Sequence, residues 1–232
     1  RLRFTQEELK QIVLQQTALL EVSRAVQGIE WSSDLERVVR VIFEQLKKIG
    51  VDFLGLTIHR VKDETTALFE NHAVEPDMSY RCRLSQRPAN LEEWRASEIL
   101  YRRDLDREMD PNLSEDYQEK TYAQFGVRVN CLLTVPFANG VFTLRSGQAN
   151  AFTDSDLEFI KHIAETVALG IARVNDLEQL EAQNLELQDA KEVAEDASQD
   201  MQLLLKPIYV SLERAHALLE LEGFKLSPLK MP

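Results

Sequence analysis

Hydrophobic residues recur at helical spacing through the first part of the chain. One apolar stripe in residues 5–28 and another in residues 35–49 each predict an amphipathic helix. The second helix has clear start and stop signals. Ser33 and Glu36 have the spacing of an N-terminal capping box, and Gly50 follows the last apolar position. The chain is therefore expected to begin with two helices that each bury one face.

The apolar period then changes from helical to alternating, which is typical of strands. Residues 52–61 alternate apolar and polar side chains, and residues 66–74 supply an antiparallel partner. Further along, CLLTVPF (131–137) and GVFTLR (140–145) flank the pair Asn139-Gly140. Asn-Gly is favoured in tight hairpin turns whose two central residues both need positive φ. We therefore predict a second hairpin with positive φ at both of these positions.

A capped helix follows this hairpin at once. Thr153, with Asp156 three residues later, predicts the N-cap. From Ile160 the apolar positions step by fours and threes, as in a heptad seam, with one phase break at residues 174–180. The predicted seam consists of Ile160, Ala164, Val167, Ile171, Val174, Leu177, Leu180, Asn184 and Leu187.

The seam continues past the point where the globular part is expected to end. Residues 176–200 contain no glycine or proline and are mainly Glu, Gln, Asp, Ala and Leu, which predicts a long exposed helix. An isolated helix of this polarity is marginal in water, so we expect a partner helix from a second copy. Asn184 at a seam position favours a parallel, in-register homodimer. Pro207 is expected to kink or restart the helix, leaving a final helix over 208–222.

Composition narrows the classes of function. The chain has 232 residues, 44% of them apolar, and a formal net charge of −12, which argues against a nucleic-acid surface and against docking on anionic membranes. The two cysteines are far apart, and no apolar run is long enough to span a membrane, so we expect a reduced, cytoplasmic protein. The four histidines are scattered without metal-ligand spacing, so no metal is predicted.

The order of these elements resembles a GAF domain. The motif that carries the resemblance is VPFANGVFTLRSGQANAFTDSDLEFIKHIAETVALGIARV (135–174), and the likeness extends over about residues 10–175. It implies an α+β fold: a GAF-like antiparallel sheet with flanking helices, followed here by a long C-terminal helix. The stretch DLEQLEAQNLELQDAKEVAEDASQ (176–199) resembles the signalling helix that joins such sensors to histidine kinase or cyclase output modules.

This resemblance implies four segments and a regulatory role without enzymatic activity. The segments are an N-terminal helix over 1–28, a GAF-like sensor domain over 29–175, a signalling coiled coil over 176–206, and a terminal helix and tail over 207–232. The motifs with which family members bind cyclic nucleotides or bilins are absent, so the cofactor is unknown. His216 lies outside any phospho-acceptor box, so that role is not carried over to it.

The middle of the chain, residues 76–128, is where the resemblance places the cover of a ligand pocket. Aromatic side chains with a few polar atoms suit such a pocket, although they would equally plug the sheet if no cavity exists. The arginines between Arg81 and Arg107 alternate with acidic residues, so we expect a self-neutralised surface there. The candidate ligand-binding residues are Trp94, Tyr101, Tyr122, Arg128 and Cys131.

Three alternatives stay open at this point. A ligand-free dimerisation scaffold would have a fully packed interior. A small redox enzyme of GAF-like fold, such as a methionine sulfoxide reductase, would need a reactive cysteine facing a cleft. A degenerate histidine phosphotransfer hairpin over residues 190–232 would need phosphorylation of His216 by a partner kinase.

Overall fold

The computed structural model describes residues 5–107 and 117–221. The chain divides into two compact units, the first ending at Glu178 and the second beginning at Gln179. The helices are α1 (Gln6–Gln27), α2 (Leu35–Lys48), α3 (Pro88–Ala96), α4 (Tyr117–Phe125) and α5 (Asp154–Leu221), with a 3-10 turn at Ser32–Asp34. The strands are β1 (Gly55–Asp63), β2 (Leu68–Val74), β3 (Tyr80–Gln86), β4 (Leu100–Arg102), β5 (Cys131–Phe137) and β6 (Gly140–Ser146).

These strands form one antiparallel sheet with the order β3-β2-β1-β6-β5-β4. The sheet with its flanking helices and long C-terminal helix confirms the predicted α+β, GAF-like fold. The strands expected near residues 52–61 and 66–74 correspond to β1 and β2, which pair as predicted. Strand β3 was not predicted, because its sequence YRCRLSQ has too few apolar residues to show an alternating pattern.

Strand β1 separates two environments on the two faces of the sheet. Leu56 and Ile58 are fully buried in the main hydrophobic core, which also contains the apolar residues of α1, α2 and the beginning of α5. Successive side chains in a strand point to opposite faces, so Thr57 and His59 lie on the other side. We call these the core face and the second face. A small cluster of Ala67, Phe69 and Leu91, with Trp94, covers part of the second face.

The helix predicted over residues 35–49 is present, but its predicted capping box is wrong. Helix α2 follows a 3-10 turn, and Asp34 Oδ2 accepts hydrogen bonds from the backbone N–H groups of Glu30 and Trp31 at 2.8 and 2.9 Å. Glu36 binds Arg40 on the next turn of the helix instead of reaching back. The helix ends as expected before Gly50, whose φ of +87° suits glycine.

The second hairpin, β5–β6, forms as predicted, but its turn does not. Phe137 pairs with Gly140, so Ala138 and Asn139 make the loop. Neither Asn139 nor Gly140 has positive φ, and the turn expected from the Asn-Gly pair is therefore wrong. Glycine serves a different purpose here, since a Cβ on Gly140 would lie 2.2 Å from the carbonyl oxygen of His59 on β1.

Helix α5 starts with the predicted cap. The Asp156 N–H donates to Thr153 Oγ1 at 3.2 Å, and Asp156 Oδ2 accepts from the Thr153 N–H at 2.9 Å. The predicted separate helix over 208–222 is wrong, because α5 runs through Pro207 to Leu221. A proline inside a helix removes one backbone hydrogen bond, and the bonds of the neighbouring turns carry the helix past it.

The first five residues of the predicted dimer seam are buried within their own chain. Their exposed fractions are 0–1%, and they pack in the core against residues such as Ala18 and Val22 of α1. Covering by the same chain accounts for their apolar character without a second copy. These five positions therefore give no support to a seam between copies, which stays a prediction for the positions from Leu177 onward. The five buried residues are Ile160, Ala164, Val167, Ile171 and Val174.

Candidate functional site

A cavity of about 250 Å³ opens on the second face of the sheet. Strands β1, β2, β3 and β6 form its floor, and helix α4 contributes Gln124 at its edge. The floor consists of the side chains that the strands direct to the second face, and these alternate along each strand with the side chains of the main core. Most of the second-face side chains here are polar. Its polar lining consists of Thr57, His59, Asn71, Glu75, Arg81, Arg83, Ser85, Arg87, Gln124 and Arg145.

The lining carries four arginines and one carboxylate, so its charge is not balanced. Glu75 is buried, and its carboxylate oxygen Oε1 accepts from Gln124 Nε2 at 2.8 Å and lies 3.3 Å from Arg81 Nε. The remaining arginines, Arg83, Arg87 and Arg145, make no ion pair within residues 5–107 and 117–221. The cavity therefore carries a surplus of positive charge, in contrast to the net negative charge of the whole chain.

Neutral side chains hold two of these guanidinium groups in place. Arg145 Nη1 donates to Thr57 Oγ1 at 2.9 Å, and Arg87 Nε donates to Ser85 Oγ at 3.1 Å. Hydroxyl oxygens satisfy one donor each but do not neutralise the charge. A guanidinium group has five N–H donors, so further donors remain available to a bound carboxylate or phosphate.

His59 is one of the lining residues and is neutral. Burial, together with the positive charges of Arg87 and Arg145, lowers the pKa of His59 to about 3. Its Nδ1 is hydrogen-bonded to Asn71 Oδ1. The amide nitrogen of Asn71 is turned the other way, toward the Arg83 carbonyl and Ser85 Oγ, both at 2.8 Å. Since Asn71 Oδ1 can only accept, Nδ1 carries the proton and Nε2 is the acceptor nitrogen.

The aromatic residues predicted to bind a ligand lie elsewhere. Trp94 Nε1 donates to the Phe137 carbonyl at 2.9 Å and covers the small cluster on the second face. The Tyr101 hydroxyl donates to the Phe152 carbonyl at 2.8 Å and accepts from the Phe152 N–H at 3.0 Å, so it fixes the segment that leads into α5. Tyr122 is 57% exposed. None of the three lines the cavity.

The other two predicted residues are also outside the cavity. Cys131 has no exposed surface and belongs to the main core, because its position in β5 directs it to the core face. Arg128 is exposed on the segment before β5. The second cysteine, Cys82, pairs with His72 and is likewise directed to the core face. Neither thiol therefore faces the cavity.

The residues that do line the cavity left only a partial signal in the sequence. The alternation of Thr57 and His59 with Leu56 and Ile58 shows a polar face on β1. Arg145 carries no such signal, since it reaches Thr57 only because β6 pairs with β1. The arginines between Arg81 and Arg107 are expected from the sequence to form a self-neutralised surface, which holds for Arg107 with Asp104 but not for Arg83 or Arg87.

The second unit presents apolar side chains along an otherwise polar helix. In the single chain the exposed fractions of Leu180, Leu185 and Leu187 are 56, 59 and 67%. Asn184, which the predicted seam places between Leu180 and Leu187, is also exposed. None of the described helices is both long and apolar enough to cross a membrane.

Comparison with known proteins gives a consistent family. The GAF domain profile matches residues 32–172. The GAF domain of a phosphoenolpyruvate-protein phosphotransferase from Coxiella burnetii has a TM-score of 0.53 at 11% identity, covering 71% of this chain and 96% of that one. Free methionine-R-sulfoxide reductase from Neisseria meningitidis has a TM-score of 0.50 at 15% identity, with 76% and 98% covered. The A. aeolicus nlh2 GAF domain has a TM-score of 0.50 at 10% identity, with 70% and 98% covered.

A search of curated proteins found no match. Identities of 10–15% to solved structures show a shared fold and nothing about shared ligands or activity.

Proposed function

Because the chain belongs to the GAF domain family, we propose that it is a non-enzymatic regulatory sensor module of a cytoplasmic signalling protein. Its cavity binds a small anionic molecule, and its long helix passes the bound state to an output module. The observation that carries this proposal is the unbalanced positive charge of Arg83, Arg87 and Arg145 in a concave, polar site. A cavity of about 250 Å³ suits a small metabolite with a carboxylate or phosphate group.

Strand β1 offers a route from the cavity to the helix. His59 lines the cavity, and the next residue, Arg60, points to the core face and binds Asn175 and Glu178 of α5. A ligand that displaces His59 would therefore also displace Arg60, the next residue, and so change its contacts with α5. A second route is the segment over residues 150–157 that joins β6 to α5, where Tyr101 holds the Phe152 backbone.

The ligand proposal is tested by substituting Arg145. We expect Arg145→Gln to weaken binding of a small anion by about 10- to 100-fold, because a hydrogen bond to a charged group contributes about 1.5–3 kcal/mol. Isothermal titration with inorganic phosphate and with small dicarboxylates measures the affinity. Native mass spectrometry of protein purified from its own host identifies any small molecule that stays bound.

Arg95→Gln is the matched control, since Arg95 is exposed and lies 3.8 Å from Glu64, outside the cavity. It should bind as tightly as the unchanged chain. Equal affinities in the Arg145 and Arg95 variants would refute the anion site, as would the absence of any bound small molecule combined with failure of every anion to bind.

The output half of the proposal is a parallel homodimer through the second unit. It rests on the exposed apolar residues Leu180, Leu185 and Leu187, which gain cover only from another helix. In a Cys82→Ser background, the substitutions Leu177→Cys and Asn184→Cys should each form a disulfide with the same residue of a second copy. Ala182→Cys, on the outer side of the predicted seam, should not.

Sedimentation of the unchanged chain supplies the second readout for the dimer. We expect a mass of two copies at micromolar concentration. A single-copy mass at high concentration, or cross-linking at Ala182 as efficient as at Asn184, would exclude this arrangement.

The alternative functions receive less support. A redox enzyme using a cysteine would need a thiol at the cavity, and both Cys82 and Cys131 are directed to the core face. A ligand-free scaffold would have a filled interior, whereas the second face contains the cavity.

A further inference from the structure

A second polar cluster lies on the core face of the β2–β3 hairpin, on the other side of the sheet from the cavity. Glu70 and His72 are two positions apart on β2, and Cys82 on β3 pairs directly with His72. Alternation of side chains therefore places all three on the same face. A carboxylate oxygen, an imidazole nitrogen and the thiol sulfur of these residues all lie within 4.8 Å of one another.

The two ring nitrogens of His72 face different partners. Its side chain is buried, and its Nδ1 is 2.7 Å from the hydroxyl oxygen of Tyr80. The other nitrogen, Nε2, is 3.3 Å from Glu70 Oε2 but makes no hydrogen bond. If Nδ1–H donates to Tyr80, the lone pair of Nε2 is directed toward the cluster, as in histidines that bind metals.

Cys82 completes the set and gives access from solvent. Its Sγ is 3.9 Å from Glu70 Oε1, and the residue is exposed. Partial desolvation of the sulfur, followed by the negative charge of Glu70, raises the pKa of the Cys82 thiol, so without a cation the proton stays on the sulfur. A divalent cation would remove this obstacle because it stabilises the thiolate.

We propose that Glu70, His72 and Cys82 form a site for Zn²⁺, with water as a fourth ligand. Nitrogen, sulfur and carboxylate oxygen together suit zinc and not the all-oxygen sites of calcium or magnesium. Zinc bonds of about 2.0–2.3 Å in a tetrahedron separate ligand atoms by roughly 3.3–3.8 Å, so small side-chain rotations suffice to close the site. Binding forms a Zn–S bond and releases the thiol proton to solvent.

Zinc would compete with the cationic side chains of Arg60 and Lys62 for the carboxylate of Glu70. Arg60 Nη1 is 3.0 Å from Glu70 Oε2, so zinc would share this carboxylate with a guanidinium group. Arg60 also makes a two-pronged contact with Glu178, through Nη1 and Nη2. That contact keeps Arg60 partnered if zinc draws Glu70 away.

The test is a metal titration of the unchanged 232-residue chain without an affinity tag, after removal of metals with a chelator. Cobalt(II) should bind with a stoichiometry of one per chain and produce a thiolate-to-cobalt charge-transfer band in the near ultraviolet. Zinc should displace the cobalt and abolish the band. Failure of the unchanged chain to bind either metal at a stoichiometric level would overturn the proposal.

Variants identify the ligands. Cys82→Ser should lose the charge-transfer band and bind zinc at least tenfold more weakly, and Glu70→Gln should also lose at least tenfold in affinity. Cys131→Ala removes the other thiol, which lies in the core, and should leave the band unchanged. Far-ultraviolet circular dichroism verifies that each variant is folded, which is expected for the exposed Cys82.

A band that persists in Cys82→Ser, or that disappears in Cys131→Ala, would place the metal elsewhere and refute this site. Binding of anions in the cavity is measured with Arg145→Gln, on the opposite face, so the two proposals can fail separately.

Discussion

Replacement of Arg60 by methionine is expected to lower the free energy of unfolding by about 3 kcal/mol. Arg60 is 1% exposed, and its guanidinium group forms ion pairs with the carboxylates of both Glu70 and Glu178. Its Nε also donates to Asn175 Oδ1 at 2.9 Å. Methionine fills similar space but leaves both carboxylates without this partner, and removal of one member of a buried ion pair is more costly than removal of all members.

Lys62→Met is the matched control for Arg60. Lys62 Nζ is 3.0 Å from the same Glu178 carboxylate, but its side chain is 32% exposed. A solvated ion pair contributes about 0–1 kcal/mol, so this variant should lose correspondingly little. Urea unfolding, followed by circular dichroism in the presence of a chelator, measures both. Equal losses in the two variants would show that burial of the Arg60 network does not stabilise the fold.

Gly140→Ala is the second substitution with a large expected effect, again about 3 kcal/mol. The Cβ of alanine would lie 2.2 Å from the His59 carbonyl oxygen and 2.8 Å from Phe137 Cζ. The aromatic ring can move, but the carbonyl belongs to β1, which pairs with β6 at this point. The two central strands must therefore separate locally, and their hydrogen bonds are weakened. Because φ at Gly140 is not positive, the loss comes from this close approach alone.

Gly147→Ala separates this effect from a general preference for glycine. A Cβ on Gly147 would meet no atom closer than 3.5 Å, which is ordinary van der Waals contact. We expect a change within about 0.5 kcal/mol, as for other unstrained surface sites. Thermal and urea unfolding of the two alanine variants supply the comparison. A Gly140→Ala protein as stable as Gly147→Ala would mean that β1 and β6 yield without cost.

Arg60→Met and Gly140→Ala both disturb strand β1, which has one side chain face toward the cavity and the other toward the core. His59 belongs to the lining of the cavity, and Arg60 belongs to the contact with α5. We therefore expect Arg60→Met and Gly140→Ala to bind small anions more weakly as well as to be less stable. The controls Lys62→Met and Gly147→Ala should bind anions as tightly as the unchanged chain. Isothermal titration of all four variants with inorganic phosphate measures this effect on binding.

The sequence by itself determined the elements whose signals are local. Helical stripes identify α1 and α2, alternation identifies β1 and β2, and Thr153 with Asp156 marks the start of α5. These signals are readable because apolar periodicity and capping depend on residues only a few positions apart. The closing motif over 135–174 was enough to indicate the family.

Only the tertiary structure decided which polar residues meet. Arg145 joins Arg83 and Arg87 because β6, β1, β2 and β3 are neighbours in the sheet, and His72 joins Cys82 because β2 pairs with β3. Gly140 lacks the positive φ that the Asn-Gly pair suggested. Glycine is needed there because the His59 carbonyl of β1, a strand distant in sequence, leaves no space for a Cβ. The spacing of residues along the chain does not indicate the order of the strands in the sheet. The cavity and the proposed zinc site could therefore be identified only from the three-dimensional arrangement of the strands.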